Sequence, residues 1–305
     1  MSNDTLDEED FFEPVAQSTV QLAGLYVVIT SFFGVSFNII MFLKFLKLEK
    51  TSFYLMCISK TMSNFLVLSI YFCYIGPTAL FYIYIGPDFL NGYMNTAIGY
   101  GLYLQGSLTQ LLIAINRFLV VYIHQVTSPK YSNHVTIGAL SVCWLASLWY
   151  STLIGLPDDC LVTFNLEIMG WVITPCLNTM LTVLTVIVVT LGTISNVLNL
   201  LVAVKLIASS KATHLSSETS RLRRKKTIRF FLQSCCQDWL YIVNIFSNLF
   251  LSDGLIDLIQ IFVTTIGCDV LLQSMDGFVM LLFNYKLFKR NRRVSIRRST
   301  GSFTR

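Results

Sequence analysis

The chain has 305 residues, 54% of them hydrophobic and only 13% charged, with a mean hydropathy of +0.64. A soluble chain carries about 25% charged residues. Half of that leaves too little polar surface to keep a protein of this size in water, which excludes the two soluble domains suggested by length alone and favours one polytopic membrane bundle.

The first 20 residues are acidic and lack a basic n-region, so they do not read as a cleavable signal. Asn3-Asp4-Thr5 within this tail is a glycosylation sequon. A spanning helix needs about 20 apolar residues. Seven stretches supply them, at about 21–44, 52–75, 92–121, 135–156, 178–204, 228–251 and 255–285. The first holds Gly34 and Asn38; the second holds Lys60, roughly 12 Å from its start at 1.5 Å per residue, and Asn64. Gly76-Pro77 reads as the end of the second helix. The run Phe81-Tyr82-Ile83-Tyr84-Ile85 is too short to span and reads as an interfacial segment, where amphipathic rings are favoured. The third span carries Gln105, Ser107, Thr109 and Gln110 at mid-depth. Gln105 and Thr109, four apart, share a face that lines either a cavity or a neighbouring helix. Asp238 falls in the sixth span, and Asp269 and Asp276 in the seventh. Beyond it, Tyr285-Lys286-Leu287-Phe288-Lys289-Arg290 suits a short helix lying on the membrane. The chain therefore divides into an N-terminal tail (1–20), a bundle (21–285) and a basic tail (286–305).

The basic residues orient the bundle. Lys44, Lys47 and Lys50 follow the first span and Lys130 the third; eight more lie at 205–229 and eight at 286–305. Lys60 and Arg117 sit within spans, toward the same side. With seven spans, every basic loop falls on one face, which the positive-inside rule makes cytoplasmic. The N-terminus is then expected outside and the C-terminus inside. The net charge of +5 reflects this polarity and does not point to nucleic acid.

Histidines are too few and scattered for a metal cluster, the eight cysteines lack CxxC spacing, and none of the common nucleotide-, phosphate- or zinc-binding strings occurs. No catalytic residue and no cofactor is expected. Chemistry is sought instead among polar groups in the spans, which are costly unless paired. Asn38, Lys60, Asn64 and Asp276 form a candidate intramembrane network. Lys60 and Asp276 lie at matching depths and are expected to meet, the alternative being that Lys60 snorkels and Asp276 bonds Asn38 or Asn64. Asp269, the deepest carboxylate, is either a ligand contact or a neutral buried acid. Cys160 and Cys176, bracketing the second outer loop, are the cysteines best placed for oxidation, with Cys73 left over.

Several motifs carry a family resemblance. Ala114-Ile115-Asn116-Arg117-Phe118 closes the third helix where rhodopsin-like G-protein-coupled receptors have Asp-Arg-Tyr, and Trp144 sits in the fourth. Ser59-Lys60-Thr61-Met62-Ser63-Asn64, Cys236-Gln237-Asp238-Trp239, and Asp276-Gly277-Phe278 followed by Phe283-Asn284 together resemble the nematode class-x serpentine chemoreceptors. There are departures from the rhodopsin-like pattern: no cysteine near the outer end of the third helix, no proline within the fifth to seventh spans, and Asn116 where the arginine's acidic neighbour stands.

The resemblance implies an all-α seven-transmembrane bundle acting as a chemosensory receptor in the plasma membrane, sensory cilia included. A small molecule is expected to bind among the third, fifth, sixth and seventh helices, touching Gln105, Thr109, Asp238 and Asp269. Asn116, Arg117, Arg223, Arg224, Lys225 and Lys226 are expected to face a heterotrimeric G protein. Anchoring on anionic membrane lipids is the alternative use of the basic loop, and homo- or hetero-oligomers are left open. The rival function is a transporter or channel relaying through Lys60, Asp238, Asp269 and Asp276.

Overall fold

The computed structural model of the protein describes residues 15–300 except 49, 123–128, 154–159, 173, 213–217 and 252–256. Asn3 and its sequon lie outside the described residues. Seven long helices run in chain order: α1 (Gln17–Leu46), α2 (Ser52–Phe81), α3 (88–122), α4 (129–153), α5 (Pro175–Ala212), α6 (218–251) and α7 (258–300). Five of these, α1, α2, α3, α5 and α7, contain stretches long and apolar enough to cross a membrane. Among the described residues α4 and α6 do not contain such a stretch, although the sequence placed a span in each. The start of α4 carries Ser132-Asn133-His134, and α6 carries a basic first half followed by Gln233, Gln237 and Asp238. The seven-helix arrangement itself stands, and α3 lies at its centre, touching α2, α4, α5 and α6.

The burial pattern is inverted relative to a soluble bundle. Leu22, Phe32, Val142, Leu145, Val186, Leu200 and Trp239 are more than half exposed, while Asn38, Thr61, Asn64, Gln105, Thr109, Gln233 and Asn284 are buried. Apolar side chains facing outward are at no cost when the solvent is lipid. Buried polar side chains then join helix to helix. Gly34 and Gly277 permit the tight α1–α7 contact, since a Cβ at the first would overlap Ser274 and one at the second would overlap Asn38.

The second helix does not stop at Gly76-Pro77. It continues to Phe81, where Tyr82 adopts a left-handed conformation (φ 54°). A proline inside a helix removes one donor and its ring presses on the preceding turn. Here a wide turn at Tyr71–Ile75, in which Gly76 N–H bonds the Tyr71 carbonyl, loosens that preceding turn. Similar wide turns occur at Ala97–Leu102, Trp149–Leu153, Ser247–Leu251 and Val263–Gly267. The exposed run Phe81, Ile83, Tyr84 and Ile85 follows the extended helix. At the other end α7 continues through residue 300 without a separate short helix, there being no glycine or proline after Gly277 to break it before that point.

A two-stranded antiparallel hairpin, β1 (Thr163–Asn165) and β2 (Gly170–Val172), lies in the loop between α4 and α5, paired Thr163 to Val172, Phe164 to Trp171 and Asn165 to Gly170. Asn91 of α3 docks it: its amide donates to the Phe164 carbonyl (2.9 Å) and accepts from the Phe164 N–H (3.2 Å), as a third strand would. A Cys160–Cys176 disulfide, with Cα atoms 5.1 Å apart, ties the loop to the start of α5. The remaining cysteines are free; Cys73 is exposed, whereas Cys57 and Cys143 are buried.

Candidate functional site

A narrow cleft opens in the bundle interior between α2, α3, α6 and α7. Lys60, Ser63 and Asn64 line it from α2, Tyr103 and Gly106 from α3, Gln237, Tyr241 and Asn244 from α6, and Gln273 and Asp276 from α7. Its volume is about 20 Å³, room for roughly one water molecule. The helix set differs from the expected one, with α2 taking the place of α5. Leu184 and Val188 of α5 instead pack with Tyr100 and Leu104 of α3 in an apolar cluster.

Three buried carboxylates stand along α6 and α7, each met by a different set of donors. Asp269 accepts from Tyr71 Oη and from Asn244 Nδ2, both at 2.8 Å. Asp276 accepts from Asn64 and from Gln237 Nε2 (2.7 Å), and Lys60 Nζ lies 3.9 Å from its Oδ2. Asp238 accepts from Gln110 of α3 and Asn199 of α5. Lys60 also faces the Tyr241 ring, 5.9 Å from its centroid. Of the intramembrane set, Lys60, Asn64 and Asp276 meet. Asn38 does not join them: its amide donates within its own helix, to Gly34 O at 2.9 Å, and packs on Gly277.

The four residues expected at a ligand are differently placed. Gln105 and Thr109 do share a face, but it looks toward α2 and α4, away from the cleft. Gln105 Nε2 donates to Thr109 Oγ1 (2.9 Å) and Ser59 Oγ (3.0 Å), and Trp144 Nε1 donates to the same Ser59 oxygen (2.9 Å). Helical periodicity says which residues share a face, not which neighbour the face meets. Asp238 and Asp269 sit beside the cleft, their oxygens already engaged. Residues the sequence reading did not single out line it instead: Tyr103, Tyr241, Asn244 and Gln273. On α6, Gln233, Gln237, Tyr241 and Asn244 recur at three- and four-residue intervals, a one-face polar signal that was open to reading.

Away from the disulfide, at the end of α3, Arg117 is 7% exposed. Its Nε, Nη1 and Nη2 have no hydrogen-bond partner among the described residues. The Phe53 ring lies 5.6 Å from the guanidinium carbon. A second cavity of about 110 Å³ adjoins it, lined by Phe53, Asn116, Arg117, Val120, Val121, Val202, Phe230 and Phe231. Arg223, Arg224, Lys225 and Lys226 lie on the backbone of α6, their side chains outside the described residues.

A family model described as the serpentine type 7TM GPCR chemoreceptor Srx matches residues 28–284. No curated protein matches the chain by sequence. Among solved structures, squid rhodopsin matches with a TM-score of 0.64 at 13% sequence identity, covering 90% of this chain and 83% of its own. At that identity the likeness concerns the fold.

Proposed function

Because the chain belongs to the serpentine 7TM GPCR chemoreceptor family Srx, we propose that this multi-pass membrane protein binds a small molecule in the cleft between α2, α3, α6 and α7 and signals to a heterotrimeric G protein at the Arg117 end. The observation carrying this reading is the extent of the family match, which runs from within α1 to Asn284 of α7. The distribution of basic residues supports an outside N-terminus and a cytoplasmic Arg117 end. No covalent step is needed. The cleft takes about one water as it stands, so a larger ligand must find or make a wider bundle. A ligand favours whichever arrangement it binds better, and by no more than that difference. Asn116, Arg117 and the basic segment of α6 would present the altered surface to the G protein. Lipid anchoring by the same basic segment is compatible with this role.

The test is a small-molecule screen in cells carrying the receptor and a promiscuous G-protein reporter. A ligand-driven signal is expected. Gly106→Ala should weaken it at unchanged surface level: a Cβ at Gly106 meets nothing within 4 Å among the described residues, so the methyl takes up room in the cleft without pressing on its neighbours. Ligand-dependent current or uptake in cells lacking G proteins would instead support a transporter. A tag before Phe11 should stain on intact cells and one inserted near Ser216 should not. The reverse staining would overturn the receptor orientation.

A further inference from the structure

We propose that the cavity beside Arg117 is a binding site for an aliphatic monocarboxylate, separate from the central cleft. Arg117 is 7% exposed, and all three guanidinium nitrogens are buried without a hydrogen-bond partner among the described residues. A buried charge left in this condition is unfavourable unless something of opposite charge reaches it. Among the described residues no acceptor reaches the guanidinium: the charge of Asp238 acts on it from a distance, but the Asp238 oxygens accept from Gln110 and Asn199 instead. The residue before Arg117 is the neutral Asn116, and the Phe53 ring offers only a cation–π contact at 5.6 Å.

The cavity defines the missing group. Guanidinium presents a planar fork that matches a carboxylate with two parallel hydrogen bonds. Asn116 adds a neutral amide at the same wall, and the rest of the lining is apolar: Phe53, Val120, Val121, Val202, Phe230 and Phe231. A strongly hydrated dianion would lose its water against those side chains without replacement. A monoanion with a hydrocarbon chain satisfies both parts. The volume of about 110 Å³ is smaller than the ~150 Å³ dry cavity that accommodates benzene, so a short acid fits whole, while a longer chain must trail out. The same head group could arrive as a soluble short-chain acid or as a membrane fatty acid.

The experiment uses the full chain in lipid nanodiscs, with thermal unfolding followed against added hexanoate, hexanol and, in the lipid, oleate. Hexanoate should raise the unfolding temperature saturably and hexanol, its neutral counterpart, should not. Stabilisation by both acids marks a soluble source as sufficient, and stabilisation by oleate alone marks the membrane as the source; either supports the site. Arg117→Met should fold, because it replaces an unpaired buried charge by an apolar chain, and should lose the response. Val202→Phe, which fills the cavity and keeps the arginine, should lose it too. Equal shifts with hexanoate and hexanol, or an undiminished hexanoate shift in both variants, would overturn the proposal. So would indifference to both acids together with stabilisation by a peptide bearing a free C-terminal carboxylate, which would make the cavity a protein dock.

Discussion

Removing either member of the Lys60–Asp276 pair should weaken the bundle, and the two losses should be unequal. Both side chains are 7% exposed and the charged atoms are 3.9 Å apart. At that separation and an effective dielectric of about 20, unit charges attract by about 4 kcal/mol. Withdrawing both from water offsets much of this, so the intact pair adds little net stability, whereas deleting one partner strands the other at a cost of about 3–5 kcal/mol. The partners left behind differ. After Lys60→Met, Asp276 still accepts from Asn64 and Gln237, so the loss should fall near the lower end of that range, about 3 kcal/mol. After Asp276→Asn, the ammonium has lost its adjacent carboxylate and keeps the Tyr241 ring at 5.9 Å and the more distant charge of Asp238, and the loss should approach the upper end. The double variant should recover about 2 kcal/mol or more of the summed loss, since residues in one network do not act additively. Thermal unfolding of the four purified proteins, with surface expression alongside, measures this cycle. Strictly additive losses would show that Lys60 snorkels and that the amides alone hold Asp276, and the pairing argument would then be wrong.

Other expectations follow from the same contacts. Peptide mapping without reduction should recover Cys160 joined to Cys176, and Cys160→Ser should cost about 3 kcal/mol, the figure for a loop near 15 residues; free thiols at both positions would refute the link. Asp269→Asn replaces a double acceptor facing Tyr71 and Asn244 with a group that has one acceptor, and should cost about 1–3 kcal/mol; an unchanged unfolding temperature would show that this network does not hold α2, α6 and α7 together. Arg117→Ala should alter ligand-driven signalling at normal surface expression, and unaltered signalling would remove Arg117 from the coupling step.

Much of the fold was legible because the bilayer imposes long-range regularities on a sequence. Span length and the cysteines at 160 and 176 each register at the scale of a whole helix or loop. The errors arose where a local signal met a non-local answer. Gly76-Pro77 is a sound local stop, yet the wide turn just before it lets α2 run on to Phe81. The hairpin β1–β2 is short and owes its position to Asn91, some seventy residues earlier in the chain. Gln105 and Thr109 share a face as their spacing requires, but whether that face met a cavity or a helix stayed open in the sequence, because only the packing of Ser59 and Trp144 shows what it meets. Uncharged residues carry a weaker signal than charged ones, and so Tyr103, Tyr241, Asn244 and Gln273, which line the cleft, did not stand out.

Those amides bear on how the bundle could change shape. Among the described residues, four side-chain contacts run along the α6–α7 seam: Ser247 Oγ donates to Thr264 O (2.7 Å), Asn244 to Asp269 (2.8 Å), Gln237 to Asp276 (2.7 Å), and Asn284 to Gln233 Oε1 (3.0 Å). They run from Gln233 to Ser247 on α6 and from Thr264 to Asn284 on α7. Each is modest alone, but in an apolar surround an unpaired partner is expensive, so the contacts cannot easily be broken one at a time. Asp269 and Asp276 also accept from Tyr71 and Asn64 of α2, which fastens the seam to the rest of the bundle near the cleft. Gln233 lies only four residues from Arg229 and the basic stretch that precedes it. A ligand competing for Asn244 or Gln237 in the cleft would therefore loosen the same helix that carries those charges. An α6 that moved as one rigid body would convert a change in the cleft into a displacement near Arg117, without a separate chain of contacts to carry it.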